Sequence, residues 1–63
     1  MQVLIHLIGS EVLRLDPSDN DAFQEEYVKF LTTGVQQRYL FFADGRSIML
    51  SFRAIAYVDN KPS

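Results

Sequence analysis

The chain predicts an α+β fold: a small twisted antiparallel sheet made of a β-hairpin, a helix, a β-hairpin and a final strand, with the one helix packed across it. Three observations carry this. Apolar residues recur at helical spacing only between Asp21 and Thr33. On either side the runs are strand-like, rich in Val, Ile, Leu, Phe and Tyr. Each pair of runs folds about a turn dipeptide, Gly9-Ser10 in the first half and Asp44-Gly45 in the second.

Val3–Ile8 and Glu11–Leu15 are the first two runs. Glycine followed by a small residue suits a two-residue type II′ turn, which sets Leu7 against Val12 and His6 against Leu13. Leu4, His6, Ile8, Leu13 and Leu15 then share one face, and Val3, Ile5, Leu7 and Val12 the other. A single bent strand with a bulge at Gly9 is the competing arrangement. Asp16-Pro17 stops the strand, because proline cannot donate to a ladder. Ser18, Asp19, Asn20 and Asp21 supply acceptors for the first free N–H groups of a helix. The helix is expected over residues 21–33, with Gly34 as its left-handed C-terminal cap. Phe23, Tyr27, Phe30 and Leu31 form its apolar stripe, and Gln24, Glu25, Glu26 and Lys29 its wet face.

From Gln37 the period changes to two. A turn centred on Asp44-Gly45 pairs Ala43 with Arg46, Phe41 with Ile48 and Tyr39 with Leu50. Tyr39, Phe41, Ile48, Leu50 and Phe52 then face the core. Leu40, Phe42 and Met49 lie on the opposite face, with Arg38, Ser51 and Arg53 clustered at its other end. Arg53-Ala54 bends the chain into a last strand, Ile55–Val58, and residues 59–63 read as a frayed polar tail. Because both faces of the second hairpin are apolar, the sheet either curls into a partly closed small barrel or offers one face to a partner. The order of elements resembles small Sm-like and SH3-like barrels and small helix-on-sheet domains, and a likeness of layout carries no residue roles.

Sixty-three residues make one small domain, which buries only about 60% of its unfolded surface. Disulfides, metals and oligomerisation are the usual reinforcements at this size. With no cysteine and one histidine, the first two are closed, and oligomerisation remains. The lack of cysteine fits a cytoplasmic protein, and no apolar stretch is long enough for a membrane span. The net charge of −2 argues against general polyanion binding. It is unevenly distributed, at −4 over residues 1–34 and +2 over residues 35–63.

Catalysis finds no constellation. The acidic run Asp16, Asp19, Asn20, Asp21 lacks the glycine and distal glutamate of a calcium loop, and capping accounts for it. Glu25 and Glu26 point about 100° apart on the helix. His6 has no nucleophile or carboxylate signalled beside it, and reads as a packed or edge-strand histidine that could meet its counterpart in an oligomer. No serine has an elbow context and no glycine-rich phosphate loop exists. The expectation is therefore a non-enzymatic interaction or regulatory module with no cofactor and no metal. It acts as a homo-oligomer, most simply a twofold dimer, through Leu40, Phe42 and Met49 or by edge pairing of residues 1–8, with a separate protein partner also open. The alternative is a binder of RNA, single-stranded DNA or a small anion through Arg38, Phe42, Ser51 and Arg53.

Overall fold

In the structure, a computed structural model that describes residues 1–35 and 38–62, hairpin, helix, hairpin and final strand follow in the predicted order. The elements are β1 (Gln2–Leu7), β2 (Val12–Arg14), α1 (Asn20–Thr33), β3 (Arg38–Ala43), β4 (Arg46–Ser51) and β5 (Ile55–Lys61). Two 3-10 turns, Pro17–Asp19 and Phe52–Ala54, lead into α1 and β5. Gln37, where the sequence pattern changes period, and Ser63 of the expected tail lie outside the described residues.

The strands form a three-stranded antiparallel sheet, β2-β1-β5, and a two-stranded one, β3-β4. Among the described residues the two are joined by one isolated antiparallel bridge, between Leu15 and Ala43. A flat sheet of this order would hold β4 and β5 about 19 Å apart, four strand spacings. Only the three residues Phe52–Ala54 separate those strands, and from Ser51 to Ile55 the chain spans at most about 14 Å. The sheet must therefore curl. It does not close, since no ladder joins β4 to β5 among the described residues.

The second hairpin has the predicted register: Ala43 faces Arg46, Phe41 faces Ile48 and Tyr39 faces Leu50. Asp44 (φ 54°) and Gly45 (φ 74°) both take the positive φ that a type I′ turn demands. The first hairpin differs from expectation by one residue. His6 faces Val12 and Ile5 faces Leu13. Leu7 N–H donates to the Glu11 carbonyl at 2.8 Å, closing a three-residue loop, Ile8-Gly9-Ser10, with Ser10 at φ 76°. Positive φ thus falls on Ser10 and not on Gly9. A one-residue slip exchanges the faces of one strand relative to the other. Val3, Ile5, Leu13 and Leu15 are buried together, while Leu4 and His6 lie with Val12 and Arg14 on the outside.

β1 is also not an edge, because β5 covers its second side from Gln2–Lys61 to Leu7–Ile55. Edge pairing of residues 1–8 between copies is excluded by that ladder. The last strand outruns its expected end at Val58, and the tail expected to fray is paired through Asp59, Asn60 and Lys61. Polar residues can hold this strand because their backbone bonds serve β1, beyond the apolar core.

Nine side chains make the buried core: Val3, Ile5, Leu13, Leu15, Phe23, Phe41, Ala43, Phe52 and Ile55. Phe23 of α1 is its hub, edge-on to Phe41 at 5.1 Å and to Phe52 at 5.6 Å between ring centroids. Tyr27, Tyr39 and Phe30 extend the aromatic cluster. The helix ends as expected on Gly34 (φ 70°), whose N–H donates to the Phe30 carbonyl. Its core stripe is narrower than expected: Phe23, Tyr27 and Phe30 pack inward, while Leu31 is 62% exposed. Leu31 lies about 80° round the helix from Phe23, beyond the width of the aromatic cluster.

Candidate interaction face

The face of β3–β4 turned away from α1 carries three cross-strand pairs. Phe42 faces Ser47, Leu40 faces Met49 and Arg38 faces Ser51. Leu40, Phe42 and Met49 are between 52% and 59% exposed, and strand geometry makes them neighbours on one pleated surface. No acidic residue stands on this face. Arg38 and Arg53 are exposed and make no ion pair among the described residues. Arg38 and Ser51 are brought opposite each other, as expected. Strand alternation stops at Ser51, so it does not carry Arg53 onto the same face. Arg53 belongs to the 3-10 turn, where its N–H donates to Ser51 Oγ at 3.3 Å.

Hydrogen bonds tie β3 to the segment before α1 at Phe42. In the ladder, Phe42 is a position whose backbone groups point away from β4. Its carbonyl accepts from Asp16 N–H at 2.9 Å, and its N–H donates to Asp19 Oδ2 at 2.7 Å. Sequence reasoning assigned the acidic run to helix capping, and the structure divides that task. Asp16 caps the first 3-10 turn, accepting from Ser18 N–H at 2.9 Å and Ser18 Oγ at 2.7 Å, and these two bonds lower its pKa. Asp19 stands at the N-cap of α1 but makes no capping bond, because its carboxylate is spent on Phe42. That long-range use has no local signal in the sequence.

His6 sits between Val12 and Tyr57 on the outer side of the three-stranded sheet. Its ring stacks on Tyr57 with centroids 4.1 Å apart and planes 11° apart. Its Nε2 is buried without a hydrogen-bond partner among the described residues, and the ring packs in the sheet. Tyr39 has its hydroxyl pKa pushed up by burial first, then by the carboxylates of Asp19, Glu26 and Glu25.

A cavity of about 140 Å³ opens beside the C-terminal half of α1, against Phe30, Val35 and Phe52, with the Glu26–Lys29 ion pair in its wall. Small-molecule sites run from roughly 300 to 1,000 Å³, so this one is undersized. Among the described residues no three His, Cys, Asp or Glu side chains are grouped to hold a metal, and no helix is long and apolar enough to cross a membrane.

A second apolar surface was not foreseen. Val28 and Leu31 are 55% and 62% exposed on the outer side of α1, and Val35 is exposed just past its cap. The 3–4 spacing of residues 28, 31 and 35 is its sequence signal, and it competes with the core stripe that includes Leu31. No known family model, curated protein or solved structure shows significant similarity to this chain.

Proposed function

We propose that this protein is a non-catalytic interaction module that self-associates through the outer face of β3–β4. The observation that supports this is the exposure of Leu40, Phe42 and Met49 on a strand pair whose other face is already filled by the core. Scattered exposed apolar residues are ordinary, but three adjacent large ones on a regular sheet surface mark a contact site. An apolar centre with Arg38 at its border has the composition of an interface, where aromatics, Met and Arg are enriched.

Phe42→Asp is the direct test. Sedimentation of the wild type at micromolar concentration should give a species heavier than 7.3 kDa. The variant should sediment as the monomer while keeping its helical circular dichroism, since Phe42 is half exposed and its loss costs the monomer only about 1 kcal/mol or less. Unchanged mass for the variant would remove this face from the assembly.

Anion binding by the same face is the second reading, favoured by the unpaired state of Arg38 and Arg53 among the described residues. It requires affinity for a single-stranded oligonucleotide that falls steeply with salt. No binding at low ionic strength would end it.

A further inference from the structure

Resting on that reading, we infer that what covers the β3–β4 face is the outer side of α1 from a second copy, so that copies associate head to tail. Besides the Val12–Tyr57 side of the three-stranded sheet, the chain exposes two apolar surfaces that lie on either side of the helix–β3 layer. The helix packs its Phe23 side on β3 and turns Val28 and Leu31 outward, while Leu40, Phe42 and Met49 face away from the helix. Twofold pairing of sheet on sheet covers one surface and leaves the other in water. A single heterologous contact covers both of these, the helix surface and the β3–β4 face.

The charges agree, and they set a direction. On a helical wheel Asp21 and Glu25 share the outer side of α1 with Val28 and Leu31, and both acids are exposed. Along the helix the order is acidic, then apolar. Along β3 the order is Arg38, then Leu40 and Phe42, so basic comes first and apolar second. From midway between Asp21 and Glu25 to midway between Val28 and Leu31 the helix rises about 10 Å, and from Arg38 to midway between Leu40 and Phe42 the strand covers about 10 Å, so the two patterns match in length. A helix running parallel to β3 of its neighbour sets Asp21 and Glu25 over Arg38, and Val28 and Leu31 over Leu40 and Phe42. The reverse direction sets those acids beside Asp16 and Asp19, which hold the Phe42 end of β3. Copies joined this way form a closed ring or an open filament, according to the rotation between neighbours.

Complementation separates this arrangement from other assemblies. Leu31→Asp spoils the helix surface and leaves the sheet face intact; Phe42→Asp does the opposite. Each variant alone should sediment as a monomer, and an equimolar mixture should give a capped heterodimer of twice 7.3 kDa, because one good helix meets one good sheet. If Leu31→Asp assembles like the wild type while Phe42→Asp does not, the face of β3–β4 is an interface but its partner is not the helix. If both variants assemble unchanged, or the wild type is a monomer, the interface itself is misplaced. Circular dichroism checks that both variants fold. A milder pair guards against a folding defect: Glu25→Arg and Arg38→Glu should each weaken association about threefold, and the double variant should restore it. A double variant weaker than either single one would overturn the head-to-tail contact.

Discussion

The two hairpins have similar raw material and were not equally legible. β1 carries apolar side chains on both faces, and so does β3. In β3–β4 the Asp44-Gly45 pair leaves one economical turn, because two consecutive residues at positive φ suit Asp-Gly and few other dipeptides. Register and faces follow from it. In β1–β2 the Gly9-Ser10 pair admits loops of two or three residues, and alternation cannot choose between them when both parities are apolar. The choice is made by Leu13 and Leu15, which must be buried beside Val3 and Ile5, and by Ala43, which bridges to Leu15. Turn chemistry decides a register where it demands an unusual backbone. Elsewhere tertiary packing decides.

The largest blow to both hairpins should come from Phe23→Ala, which empties the centre of the shared core. Such truncations cost about 3–5 kcal/mol, and a chain of this size has roughly 3–9 kcal/mol in total. Urea or thermal unfolding should show loss of most or all of the folded state at 25 °C. A variant that unfolds within about 1 kcal/mol of wild type would deny Phe23 its central place.

A sharper contrast compares the two turns directly. Gly45→Ala forces a side chain into φ 74° and should cost about 1–2 kcal/mol, although space is open around it. Gly9 has no positive φ and nothing within 4 Å of a Cβ, so Gly9→Ala should leave stability unchanged or raise it by up to about 1 kcal/mol. Equal effects at the two glycines, measured by denaturant midpoint, would mean that the hairpins are set by the same device after all.

The smallest effect concerns pH. Tyr39 on β3 has a folded-state pKa above its ordinary 10.0, so its contribution is present in full below pH 10 and fades as pH rises through the folded value. Wild-type stability should fall above about pH 10, and Tyr39→Phe should flatten part of that decline. An unchanged alkaline slope in the variant would place the titration elsewhere.

Much of the molecule can be read from local pattern. The helix, its Gly34 cap, the second hairpin and the exposed triad of Leu40, Phe42 and Met49 each depend on residues within one or two turns of one another. What escaped depends on distant partners. Asp19 serves Phe42, residues 59–61 remain a strand because β1 needs a second neighbour, and Leu31 faces outward because Phe52 packs among Phe23, Tyr27 and Phe30. The first two leave no trace within a short window of sequence, and for Leu31 the spacing to Val28 and Val35 competes with its spacing to Phe23 and Tyr27.

The pairing of β1 with β5 has a consequence for how the chain is made. This ladder joins segments more than fifty residues apart in sequence, since Gln2 meets Lys61 and Ile5 meets Val58. At elongation rates of about 5–20 residues per second, β1 waits seconds for its partner. During that interval Val3 and Ile5 lie on a strand with an open side, while β3–β4 closes locally in microseconds. The helix and the second hairpin are thus the parts able to order early, and the central strand of the larger sheet is the last to be enclosed.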